Sequence, residues 1–267
     1  MSRAPNPERV SFLGVQFDNL NESRAIQRIK RMAREPSFQY VVTPNVDHVV
    51  RLHSEPRGSN LWASYSNCSM SLCDSRVLHR LAWLSGTKLS VVPGSDLTAR
   101  LLSDHLDAFG VIAIIGSDAG FIADLRRMHP RCAWHHHVPP MGVRDDREAQ
   151  EEIIRFVEQS DADLLLFAIG SPQSELLCEE IRRRGAARGL ALCIGASLEF
   201  ASGVKRRAPR WMQRVGLEWL FRLVSEPRRL WRRYLVKGPA IFRLWWKWQF
   251  SPVYRREACG STPSGES

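Results

Sequence analysis

The chain predicts an α/β fold: a doubly wound, mostly parallel, Rossmann-like sheet followed by a helical, basic C-terminal appendage. Three observations carry that expectation. Short apolar, β-branched runs alternate with helix-periodic stretches over roughly the first 200 residues. Runs such as VIAII at 111–115 and LLLFAI at 164–169 are apolar throughout, as strands covered on both faces must be. After Gly203 the strand pattern stops and only helical periodicity continues.

The predicted strands cover residues 10–15, 40–43, 70–73, 111–115, 133–137, 164–169 and 190–194. Helical stretches between them include 24–34, 118–128, 147–158 and 174–184. Strand–helix alternation of this kind calls for parallel strands joined by right-handed crossovers. Beyond Gly203, Ala208-Pro209 opens a helix, Pro227 interrupts or restarts one, and Gly238-Pro239 marks a further break. The expected organisation is a catalytic domain over 1–203, an appendage over 204–256 and a disordered tail over 257–267.

Charge divides at the same boundary. Residues 204–256 hold 15 Lys/Arg against Glu218 and Glu226, whereas residues 1–203 hold 23 Lys/Arg against 24 Asp/Glu. Six of the nine tryptophans (Trp211, Trp219, Trp231, Trp245, Trp246 and Trp248) also lie in the basic segment. Cations interleaved with tryptophan point to an anionic membrane surface or a polyanion as neighbour. In 239–250, Ile241, Trp245 and Trp248 share one helical stripe with Phe242 and Trp246 beside it; Arg243 and Lys247 fall on the other side. That segment predicts an in-plane interfacial helix, with packing on the protein body or a homo-oligomer contact as the alternative.

No window approaches 18 uncharged apolar residues, and MSRAPNPERV lacks a signal-peptide core, so a cytoplasmic chain without a transmembrane helix is expected. The six cysteines form no CxxC pair and read as reduced core thiols.

Ligands of such sheets bind beyond the carboxyl ends of the strands. Five predicted strands end in small or polar residues there: Thr43-Pro-Asn45, Asp74-Ser75, Gly116-Ser-Asp118, Gly170-Ser-Pro172 and Gly195-Ala-Ser197. Glycine at these ends would let a nucleotide diphosphate approach the backbone and reach helix N-termini; each could equally be an ordinary turn. On residues alone Asp74 serves equally well as a catalytic carboxylate or as a helix cap, and Asn45 reads as a cap. Asp161-Ala-Asp163 imitates a DxD metal motif but precedes its strand, at the wrong edge. His135, His136 and His137 alternate in direction along a strand and cannot converge on one ion. No metal and no cofactor is expected.

Several blocks together resemble the WecG/TagA/CpsF glycosyltransferases, family 26. They are TPNVDHV at 43–49, CDS at 73–75, PGSDL at 93–97, GSPQSE at 170–175, GASLEFASGVKRRAPRW at 195–211 and GLEWLFRLVSEPRRLWRRYL at 216–235. The resemblance implies inverting, metal-independent transfer of a hexosyl or N-acetylhexosaminyl group from a UDP-sugar to a polyprenyl-diphosphate-linked saccharide. The setting it implies is surface polysaccharide synthesis by a protein peripheral on the inner face of the cell membrane. It makes Asp74 the catalytic base and places Thr43 and Asn45 in the substrate pocket. Gly116, Gly170, Gln173, Glu175, Gly195 and Glu199 would line the nucleotide site. Arg222, Arg229 and Arg232, spaced i, i+7, i+10, would close over the diphosphate. The chain departs from the family pattern at Gln173-Ser174, which replace a basic residue and a glutamine, at Glu199, which replaces an Asp, and at Val91, where an Arg is common.

Two other classes compete. A nucleic-acid-binding α/β protein would use the basic tail on phosphates, but the chain carries no recognised nucleic-acid motif, and no nucleic-acid partner is expected. A nicotinamide enzyme would need GxGxxG after its first strand, which is missing.

Overall fold

The computed structural model describes residues 9–201, 208–209, 211–212 and 215–251. The expected boundary at Gly203 and the expected disordered tail over 257–267 lie outside the described residues. Six strands form an all-parallel sheet: β3 (Gln39–Val42), β4 (Met70–Ser71), β5 (Val111–Ile115), β6 (Ala133–His137), β7 (Leu164–Phe167) and β8 (Leu190–Cys193). Their spatial order is β4-β3-β8-β7-β5-β6, so the doubly wound α/β expectation holds. Residue alternation decides the layering. Tyr40, Val42, Ala113, Ile115, Leu165, Phe167 and Ala191 enter one core layer; Val41, Ile112, Ile114, Leu164, Leu166, Leu190 and Leu192 enter the other. Both faces are covered, which is why these strands read as continuous apolar runs.

The first predicted strand is corrected. Residues 10–15 do not join the sheet; they split into β1 (Arg9–Phe12) and β2 (Val15–Asp18), an antiparallel hairpin. Leu13 and Gly14 take φ of 50° and 73°, so the two-residue loop has the positive-φ pair that suits the twist of a tight hairpin. Apolar alternation continued across the turn and hid it. The hairpin is tied down by Asp18, which accepts from Arg28 at 2.9 Å and from the Ser71 N–H at 2.9 Å.

One layer of helices contains α1 (Glu22–Met32), α5 (Gly94–Asp104), α6 (Ala119–Met128) and α9 (Ser197–Ala201). The other contains α2 (Val46–Leu52), α3 (Asn60–Ser66), α4 (Arg76–Leu84), α7 (Arg147–Ser160) and α8 (Gln173–Arg184). Side-chain caps set several starts: Asn21 for α1, Ser59 for α3, Ser75 for α4, Asp118 for α6 and Asp146 for α7.

The appendage is helical. α10 (Glu218–Ser225) stops at Glu226, and Pro227 occupies the first turn of α11 (Pro227–Trp231), where its missing N–H costs nothing. The chain then winds as a wider π-helical segment over Arg232–Lys237 before α12 (Ala240–Phe250). Ile241 and Trp248 of α12 are buried in the same core layer as α2 and α4, and the Trp248 ring meets Phe12 edge-on at 6.2 Å. The predicted interfacial stripe of Ile241, Trp245 and Trp248 therefore packs on the body. The exposed stripe of α12 is Phe242, Trp246 and Phe250 instead. No described helix is long and apolar enough to cross a membrane.

Candidate active site

The carboxyl ends of the strands form a rim that passes, in sheet order, Asp74, Thr43, Gly195, Gly170 and Gly116. Beyond its β4–β3 end lies a cavity of about 380 Å³. One wall comes from the body, through Asn45, Asp47, Asp74, Arg76 and Val77. The appendage supplies the other, through Glu218, Trp219, Arg222, Arg233, Tyr234 and Phe242. Both walls carry charged groups, and the aromatic ones come from the appendage.

Asp74 sits just past β4, its N–H donating to the Pro44 carbonyl at 2.9 Å. It does not cap α4, because Ser75 does so by accepting from the Leu78 N–H at 3.2 Å. Asp74 Oδ1 instead accepts from the Gly94 N–H at 3.2 Å, at the positive end of α5. Gly94 has to lack a side chain: a Cβ there would stand 3.1 Å from Thr43 Oγ1. Thr43 in turn reaches the Cys193 carbonyl at 3.5 Å, so the ends of β3 and β8 and the start of α5 are knit together around the carboxyl. Removal from water pushes the Asp74 carboxyl up to about 7; Arg222 opposes this, and Glu218 and Asp96 reinforce it. A group that exchanges its proton near neutrality suits general acid–base work.

Arg222 lines the same cavity as Asp74 and Glu218. It pairs with Glu218 at 3.2 Å, and its guanidinium sits 4.6 Å from the centre of the Phe200 ring, one residue beyond Glu199 in α9. Arg222 Nε is buried without a hydrogen-bond partner, a donor left for something the cavity could hold.

The arginine spacing fares differently from its helical expectation. Arg222 lines the cavity, but Arg229 is turned outward in an ion pair with Glu226, and exposed Arg232 packs over Trp231 at 5.3 Å. Arg233 takes the inward position. The helix break at Glu226 and Pro227 shifts the register between Arg222 and the later arginines, which an i, i+7, i+10 count cannot anticipate. Arg233 Nε contacts Asp47 at 3.4 Å; Asp47 also holds Arg51 at 2.9 Å, and Arg51 extends to Ser171 Oγ at 3.3 Å. A polar chain therefore runs from the loop after β7 to the appendage. His48, beside these arginines, is pushed down to about 3, first by burial and then by Arg233, and is neutral at physiological pH.

Asn45 borders the cavity and also caps α2, its Oδ1 accepting from the Asp47 N–H at 3.1 Å. The predicted nucleotide residues divide into groups. A Cβ at Gly170 or Gly195 would meet nothing within 4 Å, so the rim is open at both. At Gly116 it would stand 3.3 Å from the Ala168 backbone, which gives that glycine a packing reason. Glu199 is half-buried in α9, beyond the open rim. Glu175 is neither solvated nor on the rim: it is buried in α8 and accepts from Tyr65 Oη at 3.2 Å, with burial raising its carboxyl. Gln173 lines a separate cavity of about 260 Å³ between α3, α7 and α8.

Asp47, Arg51, Gly94, Glu218 and Arg233 were not singled out from the sequence. Asp47 and Gly94 lie inside the TPNVDHV and PGSDL blocks, so a signal existed for them. Asp161 and Asp163 are held by Arg188 at the other end of β7, with Asp163 accepting from the Gly110 and Val111 N–H groups. Among the described residues no group of three or more His, Cys, Asp or Glu is placed to hold a metal ion. His136 is bonded to the Gly116 carbonyl at 2.9 Å while His137 stacks on Phe156.

A carboxyl poised near neutrality at a strand end, with an arginine lining the same cavity, fits group transfer from a donor to an acceptor. The sequence model of the WecG/TagA/CpsF glycosyl transferases matches residues 10–254, and the chain belongs to that family, whose members work in polysaccharide biosynthesis.

Proposed function

We propose that the protein transfers a hexosyl or N-acetylhexosaminyl group from a UDP-sugar to a polyprenyl-diphosphate-linked saccharide, with inversion at the anomeric carbon. The observation that carries this reading is the Asp74 carboxyl, pushed up to about 7 inside a cavity that Arg222 and Arg233 also line. Ionised Asp74 accepts the proton of the acceptor hydroxyl as its oxygen bonds to the anomeric carbon. The bond from that carbon to the UDP oxygen breaks, and its electron pair leaves with UDP. One displacement from the opposite face inverts the centre.

In this reading the uridine diphosphate lies over Gly195 and Gly170, whose open surroundings let phosphates reach the backbone. The acceptor diphosphate meets Arg222 and Arg233, whose planar forks can bind two oxygens each. Arginines, in place of a metal ion, supply the counter-charge. Trp219, Tyr234 and Phe242 offer an apolar wall to the first part of the lipid. The protein would sit peripherally on the inner face of the cell membrane, with the exposed Phe242, Trp246 and Phe250 stripe buried among headgroups.

Gly170→Leu tests the donor site. The position has no neighbour within 4 Å of a Cβ and no positive φ, so the fold should tolerate it. UDP affinity, read by calorimetry, should fall at least tenfold while the melting temperature stays unchanged. Unaltered UDP binding would remove Gly170 from the site. A panel of UDP-sugars with a synthetic polyprenyl-diphosphate sugar tests the reaction itself; no UDP release with any of them would refute it.

A further inference from the structure

One surface has no role in this chemistry. α4 turns Leu78, Leu81 and Ala82 into the core, while His79, Trp83 and Leu84 are exposed on its other side, beside Arg80, which donates to the Val215 carbonyl at 2.9 Å. Trp83 is 72% exposed and Leu84 56%, an unusual place for two large apolar side chains side by side. α12 touches the end of the same helix. Trp245 Nε1 donates to the Leu81 carbonyl at 3.1 Å and to Ser85 Oγ at 2.8 Å, at the end of α4. Ile241 and Phe242 share the cavity wall with Arg76 and Val77, at its start. The starts of the two helices thus border one cavity, and Trp245 joins α12 to the end of α4.

Each presents the same chemistry outward. α12 exposes Phe242, Trp246 and Phe250 at i, i+4, i+8, with exposed Arg243 and Lys247 next to them. α4 exposes Trp83 and Leu84 with Arg80, and Lys88 follows in the next loop. Neither helix contains an Asp or a Glu. Exposed aromatics beside cations, with no acid among them, complement a negatively charged lipid surface, where rings bury below the headgroups and cations stay level with phosphate.

We propose that α4 is a second membrane-docking element, contributed by the catalytic body, and that α4 and α12 form one platform lying on an anionic bilayer. The inference rests on the membrane reading of α12 and extends it to a helix outside the appendage. The cavity lies at the N-terminal ends of both helices, so the platform brings its mouth to the lipid surface. A diphosphate-linked acceptor then reaches Asp74 without its chain leaving the bilayer.

The test uses the full chain and vesicles of phosphatidylglycerol and phosphatidylcholine. Trp83→Ser/Leu84→Ser alters only exposed positions, and an unchanged melting temperature would verify folding. This variant should partition into anionic vesicles at least tenfold more weakly. Its turnover of a short-chain, water-soluble acceptor should stay at the wild-type level. Trp246→Ser/Phe250→Ser serves as the comparison for α12. If the α4 variant floats with vesicles as wild type does while the α12 variant does not, α12 docks alone and the proposal is overturned. If wild type itself fails to bind anionic vesicles, the membrane reading falls, and this inference with it. If the α4 variant changes only the sedimentation of the protein, leaving flotation intact, the face belongs to a second copy of the chain and the proposal is likewise overturned.

Discussion

Asp74→Asn should make the protein more stable and inactive at once, and the two effects have one cause. Asn mimics the neutral acid: its Oδ1 can still accept from the Gly94 N–H, and its amide stands where the carboxyl proton would be. In the folded chain the carboxyl titrates near 7 rather than at the ordinary 3.8, so ionising it costs the fold free energy. The gap corresponds to roughly 4 kcal/mol at about 1.4 kcal/mol for each tenfold change in proton affinity. Water entering the cavity screens part of this, leaving about 2 kcal/mol. The sign follows from the raised value. Below pH 4 the carboxyl is neutral folded and unfolded, and the variant gains nothing. Between pH 4 and 7 the gain grows, and above pH 7 it is complete. For a chain of this size the gain is a rise of roughly 4–8 °C in melting temperature at pH 8. Scanning calorimetry at pH 4.5 and pH 8, paired with UDP release from the turnover reaction, measures both effects. Equal melting temperatures for variant and wild type at pH 8 would refute the electrostatic argument. Retained turnover in a stabilised variant would refute the base assignment.

In the wild type the rate should climb through a single ionisation near pH 7, and Arg222→Ala should move that limb to higher pH, because Arg222 is the main group favouring ionised Asp74; a pH–rate profile with an unshifted limb would contradict this. Gly94→Ala should cost about 1–3 kcal/mol by pressing a methyl against Thr43, and adding Thr43→Ala should recover part of that stability. Additive losses in chemical denaturation would show that the two positions do not touch. Trp248→Ala should cost about 3–5 kcal/mol, since it empties a buried site against Phe12. Limited proteolysis should then cut ahead of α12 first, and a cleavage pattern like wild type would argue against its docking on the body.

The sheet was legible because strands buried on both faces leave unbroken apolar runs, as in 111–115 and 164–167. The hairpin was not, because Leu13 keeps the run apolar across the turn. Asp74 was legible as a rim residue, but whether it caps a helix depends on which neighbour does, and Ser75 does. The arginines show the limit of counting. Periodicity assumes 3.6 residues per turn throughout, and Pro227 marks where that fails without telling how far the break at Glu226 turns the next helix, so Arg233 and not Arg232 lines the cavity. The tryptophan stripe teaches a related point. Ile241 and Trp248 are covered by the protein itself, and Phe242, Trp246 and Phe250 are left exposed. Glu175, expected at the nucleotide site, is buried in α8, and nothing nearby in sequence foretells Tyr65, which reaches it from α3.

β4 is the outermost strand on its side of the sheet, and only two residues long. No strand pairs with its outer side, where Asp18 of β2 accepts from the Ser71 N–H instead, and the cavity opens past its carboxyl end, beside Asp74. If the proposed reading holds, the two reactants need not queue. A freely diffusing nucleotide sugar drops in above the middle of the sheet, and a tethered acceptor slides in from the margin.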